Sequence, residues 1–198
     1  IRTAFAEHLV EAQNYMRNED GTANLVVTIS PEHQQLFEEA YAEVKEAYEA
    51  KYGVKYNITF TFQDKATDTV AVDVENKPFR TETDSLLFRP AGHGALIYNL
   101  NKLEEEVVSI KNIDNVVPDY MKAETVYWKQ VIAGILVEVQ KQVFGYLRLL
   151  DSHKYSHDDL EEIIRFTRHT LGCNIAGLKD LEDTELHIYL RKKLNRPI

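Results

Sequence analysis

Two short segments hold most of the residues with chemical capacity. Leu87-Phe88-Arg89-Pro90-Ala91-Gly92-His93-Gly94-Ala95-Leu96 is a loop in which two glycines flank a histidine. Ile110-Lys111-Asn112-Ile113-Asp114-Asn115 is an apolar run that closes on an aspartate between asparagines. Glycine lets a backbone approach a ligand that any Cβ would hold off, and a helix starting just beyond such a loop offers free N–H groups to an anionic or polar ligand. An acidic residue at the carboxyl end of a sheet strand stands where open α/β folds bind ligands. Gly92, His93, Gly94 and Asp114 therefore read as a site for a nucleotide or a phosphate-sugar; the alternative is a tight loop followed by an ordinary strand end. Arg89 and Lys111 flank this site, with Asn112 and Asn115 beside the aspartate, and are candidates for phosphate or sugar groups. A long cation at a strand end also reaches solvent readily, which is the equal alternative for Lys111.

Other reactive side chains carry weaker signals. His153 and His157, four apart and followed by Asp158 and Asp159, have the spacing of a metal pair. Ser156 between them reads as an N-cap, with the acids in the first helical turn, which is the structural alternative. Asp64, Asp68 and Asp73 read as solvated loop acids. Cys173 is the single cysteine, so there is no intrachain disulfide and no multi-cysteine zinc cluster; it reads as a small buried side chain. No Ser-His-Asp order is evident.

The elements that must position these residues follow from periodicity. Phe5, Leu9, Ala12 and Met16 share a helical face within 1–17. Residues 25–29 are a continuous apolar run, typical of a strand covered on both faces. Ser30-Pro31 opens a helix reaching about Tyr52, with Phe37, Tyr41, Val44 and Tyr48 on one stripe and Gly53 as its stop. Ile58, Phe60 and Phe62 alternate with polar residues as in a strand. A short extended segment over 69–74, a turn at Asn76-Lys77-Pro78, a helix over 95–103 and a strand over 107–113 complete the pattern. The alternation of helices and strands implies parallel βαβ crossovers and an α/β class.

After Pro118 the strand signal ends. Residues 119–151 form one helical pattern, about 50 Å long at the ordinary rise, with Trp128, Ile132, Ile135, Val139, Val143, Leu147 and Leu150 on a face. Gly134 and Gly145 read as points of close packing or bending. Helices over 157–171 and 181–194 follow, and Asn195-Arg196-Pro197-Ile198 reads as a turn entering a strand. No internal repeat is visible. This divides the chain into 1–118, an α/β core, and 119–198, a helical extension packed on it.

The 198 residues carry a net charge of −9, which argues against a nucleic-acid footprint. No apolar run approaches the roughly 20 residues of a membrane span. A lone cysteine suits a reducing, cytoplasmic compartment. There is no initiator methionine, and both ends read as cut from a longer protein.

Residues 24–117 resemble the middle of the nucleotide-sugar pyrophosphorylases, the family that includes the UDP-glucose and UDP-N-acetylglucosamine enzymes. The strand at Val26-Val27-Thr28-Ile29-Ser30 precedes a helix. A second strand ends in Phe60-Thr61-Phe62-Gln63, like the family's Phe-Phe-Gln. Arg89-Pro90-Ala91-Gly92-His93-Gly94 is like its Pro-x-Gly-His/Asn-Gly, and Asn112-Ile113-Asp114-Asn115 like its Val/Ile-Asp-Asn. The wording of the last two is closer still to an uncharacterised bacterial branch, a domain-of-unknown-function family.

The resemblance implies a three-layer, Rossmann-like nucleotide-diphosphosugar transferase core, here partial, with a mostly parallel sheet and a C-terminal helical part. It implies a reaction of a nucleoside triphosphate with a sugar 1-phosphate, giving nucleotide-sugar and pyrophosphate. It places Gly92, His93 and Gly94 at the base and ribose, Gln63 on the nucleotide or sugar side, and Asp114 near ribose, phosphate or Mg²⁺. The family's N-terminal glycine-rich loop with Arg and Lys, which clamps the triphosphate, has no counterpart before Leu25, so turnover by this chain alone is not expected. The expected ligand is a nucleotide or nucleotide-sugar. The alternatives are a non-catalytic binding module and a scaffold that dimerises through the helix over 119–151.

Overall fold

The structure, a computed structural model, describes residues 2–175, 177–178 and 181–195. The chain falls into two compact units, Ile1–Tyr127 and Trp128–Ile198. Both are mixed or helical in content, and the α/β class holds for the chain as a whole.

The first unit is built on a parallel crossover. Helix α1 (Ala4–Tyr15) is started by Thr3, whose hydroxyl accepts from the Ala6 N–H. Strand β1 (Thr22–Thr28) and strand β2 (Lys55–Thr61) pair in parallel, Thr22 opposite Lys55 through Thr28 opposite Thr61. Between them runs α2 (Gln34–Tyr52), entered through a 3-10 turn at Pro31–His33 after Ser30. Gly53 ends it in the left-handed conformation at φ 60, donating its N–H to the Glu49 carbonyl, a closure that glycine makes without a Cβ penalty.

Sheet alternation sorts the strand residues into two sets. Ala23, Leu25, Val27, Tyr56, Ile58 and Phe60 face the helices, and the expected α2 stripe of Phe37, Tyr41, Val44 and Tyr48 packs there with Phe5, Leu9 and Ala12 of α1. Phe5, Phe37 and Phe60 meet ring to ring, at centroid distances of 5.4, 6.0 and 6.3 Å. The other face holds Asn24, Val26, Thr28, Asn57, Thr59 and Thr61, tied across the strands by Asn57 to Asn24 at 3.0 Å and Thr28 to Thr61 at 2.9 Å. The double-sided cover read from residues 25–29 is therefore not formed: Val26 is 39% exposed.

Residues 69–89 fold into a three-armed ring. β3 (Thr69–Val70) pairs antiparallel with β4 (Phe88–Arg89). Beyond that pair, Ala71 N–H donates to Leu87 C=O at 2.8 Å, Leu87 N–H to Phe79 C=O at 2.9 Å, and Phe79 N–H to Ala71 C=O at 2.8 Å. The two intervening turns repeat each other: Asn76 and Asp84 both adopt positive φ, 61 and 57. Asp73 accepts main-chain N–H bonds from Glu75 and Lys77, and the Thr81 hydroxyl accepts one from Ser85. A repeat of eight residues is thus present in geometry where the side chains show none.

Two other expectations change. The helix over 95–103 is a 3-10 turn, His93–Leu96, running into the short α3 (Ile97–Leu100). The strand over 107–113 does not form. That segment is irregular, and it is held by side chains of α1 in place of a neighbouring strand.

α4 (Asp119–Ser152) matches the single long helix read from the sequence and runs from the first unit into the second. In the second unit its C-terminal part packs with α5 (His157–His169) and α6 (Asp183–Leu194) around Leu150, Leu160, Ile163, Phe166, Leu186 and Leu190. Val139, Val143 and Leu147 join this core, while Ile132 and Ile135 stay about 60% exposed. Neither Gly134 nor Gly145 has an atom within 4 Å of where a Cβ would stand, so close packing is not their role. Tyr146 donates to Glu162 at 2.8 Å, and burial, with that bond, pushes its phenol up to about 12. The turn expected over 195–198 lies, past Asn195, outside the described residues. Among the described residues no helix is long and apolar enough to cross a membrane.

The first-unit core predicts its own weak points. Tyr56 is 3% exposed and donates to the Leu9 carbonyl at 2.9 Å. Tyr56→Phe is expected to lose about 1 kcal/mol, and Leu9→Ala about 3 kcal/mol, read from urea denaturation.

Candidate functional site

The carboxyl end of β2 organises the glycine loop. Asn99, buried on α3, donates to the Phe62 carbonyl at 2.9 Å. The next residue, Gln63, turns its amide to the loop. Oriented to match its partners, its oxygen accepts from the Ala91 N–H at 2.9 Å and its nitrogen donates to the Ala91 carbonyl at 3.3 Å. The Thr67 hydroxyl, 3.0 Å from the amide oxygen, completes the brace. Asp64 caps the short turn that carries Thr67, accepting from the Ala66 N–H at 2.9 Å. Gln63 and the loop, two expected site elements, are thus brought together, and what joins them is a two-point bond from side chain to main chain.

Gly92, His93 and Gly94 then project from this brace, exposed. Gly92 has φ −62 and ψ 172, within reach of any residue, and neither glycine carries a positive φ. A Cβ at Gly92 or Gly94 would meet nothing within 4 Å. Neither backbone strain nor packing in this chain calls for glycine at either position. Arg89 lies just before the loop, in β4 opposite Thr69, with its side chain exposed.

The second group of expected residues follows another partner. Lys111 is bonded to Glu11 of α1, a carboxylate only 1% exposed, and Tyr15 donates to the same oxygen at 3.1 Å. Burial and then the Glu11 charge raise the Tyr15 phenol above its ordinary value. His8 Nε2 lies 3.0 Å from the Ile113 carbonyl. Asn112, Asp114 and Asn115 form one exposed turn, closed by Asn115 N–H to the Asn112 carbonyl at 3.2 Å. Asp114 therefore sits in a turn beside a helix and does not end a sheet strand.

One step further on, Lys122 is 5% exposed, 2.6 Å from Glu7 and bonded to the Val117 carbonyl. Arg2 reaches both oxygens of Asp119, at 2.6 and 2.7 Å, and also Glu7 at 3.1 Å. The hydrogen bonds from Arg2, with Lys122 near, hold the Asp119 carboxyl at about 2. Sequence reasoning missed this charged clamp. Its trace was there: Glu7, Glu11 and Tyr15 recur every four residues on α1, a polar stripe beside the apolar one.

The histidine pair is resolved into other roles. Ser156 caps α5 in a reciprocal box with Asp159. His157 bonds Asp183 at 2.7 Å, and that bond raises its imidazole above its ordinary value. His153 stacks on His187. Among the described residues no group of three or more His, Cys, Asp or Glu is gathered to hold a metal. Asp114 would be a lone protein carboxylate, which suits Mg²⁺ only when phosphates supply further oxygens. Cys173 is half-buried rather than fully so.

Three outcomes test this geometry. Lys111→Met leaves the Glu11 charge buried and uncompensated and is expected to cost about 3–5 kcal/mol, with Glu11→Gln restoring part of it in the double variant. Gln63→Ala should keep the fold and speed hydrogen exchange at the Ala91 amide. Because Asp119 ionises more readily when folded, its contribution is full above the ordinary carboxylate value and is lost as pH falls towards 2; Asp119→Asn should flatten that acid limb of a stability–pH curve.

Residues 1–198 match the sequence profile of a family described as a domain of unknown function, DUF4301. No curated protein matches the chain, and no solved structure does.

Proposed function

The chain belongs to the DUF4301 family over residues 1–198, and we propose that it carries the base-and-ribose side of a sugar-nucleotidyltransferase-type site, with Gly92, His93 and Gly94 against the nucleotide. The observation that carries this reading is the pair of glycines that nothing among the described residues requires: exposed, free of positive φ, with open space at each Cβ position, on a loop braced to the end of a parallel strand by Gln63. A close-approaching ligand is a reason for glycine that survives when conformation and packing are removed.

In this reading the core is a partial Rossmann-like one, and its three-layer form would need a further layer over the Asn24–Asn57 and Thr28–Thr61 face, which these residues leave open. Arg89 and the asparagines Asn112 and Asn115 meet sugar or phosphate. Asp114 contributes one oxygen to an Mg²⁺ that the ligand's phosphates bring. Lys111 is the least available of the proposed contacts, since Glu11 holds its ammonium. Residues before β1 supply no glycine-rich clamp with Arg and Lys, so the proposal is nucleotide-sugar binding, in a cytoplasmic protein, without turnover by these residues alone.

Calorimetric titration with UDP-glucose and UDP-N-acetylglucosamine in the presence of Mg²⁺ tests it. Binding is expected. Gly92→Ala should leave the melting temperature in place and weaken that binding about tenfold, equivalent to about 1.4 kcal/mol. Absence of binding to folded protein, or Gly92→Ala binding as well as the parent, would sink the reading.

A second reading rests on α4. Val131-Ile132-Ala133-Gly134-Ile135-Leu136-Val137 is apolar on every side, and Ile132, Ile135 and Leu136 are 62, 60 and 49% exposed. A helix apolar all round is normally buried, which supports a homodimer formed through this stretch. Mass measurement in solution decides it: a strict monomer at high concentration removes the dimer and leaves the nucleotide reading untouched.

A further inference from the structure

Three rings stack where α4 ends and α5 has not begun. His187 of α6 lies against His153 at a centroid distance of 4.8 Å and an interplanar angle of 20°, and against Tyr155 at 5.3 Å and 23°. His187 is 9% exposed, and its Nδ1 is buried without a hydrogen-bond partner among the described residues. His153, one residue past the end of α4, holds a left-handed φ of 51, a conformation that side chains seldom adopt. The three residues belong to the α4–α5 corner and to α6, and the stack fastens one to the other.

The charged groups around His187 favour the neutral ring. Arg191, one turn further along α6, is ion-paired with Asp151 of α4 at 2.6 Å, so that carboxylate is already answered. Asp183, one turn earlier on α6, is held by His157 of α5 at 2.7 Å. His153 offers a second imidazole, which repels a charged neighbour once it takes a proton itself. No free carboxylate among these groups awaits a proton on His187.

We propose that the His153–His187–Tyr155 stack is an acid-released fastener, holding α6 on the α4–α5 corner while His187 is neutral and letting it go when His187 is protonated. Burial, then the positive neighbours His153 and Arg191, pull the His187 imidazole below its ordinary value, with Asp151 opposing. A group so depressed contributes its stability in full above its ordinary value and loses it as pH falls through the folded value. The exposed His157–Asp183 pair has the opposite sign: its support is present at low pH and fades as pH rises through the raised value. Release on acidification therefore belongs to the stack at His187 and not to the His157–Asp183 pair.

The test combines a ring titration with amide exchange on the full chain between pH 8 and pH 4.5. Long-range proton–nitrogen NMR should show His187 titrating below a free histidine. Exchange at the Leu190 amide, corrected for its intrinsic rate, should stay level above the ordinary imidazole value and quicken by up to about tenfold per pH unit between that value and the lower folded one. His187→Phe keeps a stacked ring without a titrating nitrogen and should hold Leu190 protected to lower pH. Two results overturn the proposal: His187 titrating like a free histidine in the parent protein, or Leu190 losing protection at the same pH in parent and His187→Phe. The ring titration needs no variant, so a failure of His187→Phe to fold leaves the proposal testable.

Discussion

A carboxylate buried on one side of a helix dictates the course of a long stretch of chain. Glu11 has almost no solvent, and an ion so placed is tolerable only when a cation and hydrogen bonds answer it. Lys111 and Tyr15 provide that answer at one oxygen, Oε2, while Oε1 is buried without a partner among the described residues, and Lys122 answers Glu7 one turn earlier. Everything between Lys111 and Lys122 is thereby laid along α1, including the turn that presents Asp114 and the first residues of α4. α1 is consequently clad on two sides, by aromatic packing from the sheet and α2 on one and by ion pairs on the other. The first kind of contact has no ion pair to titrate or screen; the second responds to both pH and salt, although its buried members are screened far less than surface pairs.

The glycine loop obeys a different logic. Its position comes from one side-chain amide reading the two polar groups of a single peptide unit, as a neighbouring strand would. Such a bond fixes where the loop stands without using any side chain of the loop itself. Gly92, His93 and Gly94 then serve the structure only through their main chain, the Gly92 carbonyl accepting from the Ala95 N–H, and the proposed ligand contact accounts for the choice of glycine. Gln63 enters this picture as the holder of the loop, with its amide hydrogen bonds spent on protein.

Legibility in the sequence tracked the kind of force at work. The parallel crossover could be read because Phe37, Tyr41, Val44 and Tyr48 repeat at helical spacing, Ile58 and Phe60 alternate, and Gly53 marks the stop. Ser156 was legible as a cap because capping depends on one residue and its third neighbour. Residues 107–113 misled because apolar content reports a wish for cover and not the partner that gives it; Lys111, inside that run, chose a helix carboxylate. The co-location of Gln63 with the loop had support in motif order, yet the amide-to-backbone contact has no signature in residue pairing. Membership of DUF4301 bears out the reading of a family without an assigned activity, and the link to nucleotide-sugar chemistry rests on motif order and on the loop's geometry.

The three-armed ring before the loop has a consequence for how this part of the protein can drift over generations. Its closure uses the main chain of Ala71, Phe79 and Leu87, so exposed side chains along the arms take no part in it, although Ala71 is buried and Asp73 and Thr81 brace the turns. The demanding positions are the two turn residues, Asn76 and Asp84, where a left-handed backbone restricts the choice. Lengthening of either turn would leave the ring closed, whereas one residue added inside an arm would shift its register and flip its side chains. Arg89 and the loop it leads into can therefore keep their place while exposed side chains on the arms change, a division of labour that ties a binding loop to main-chain closure.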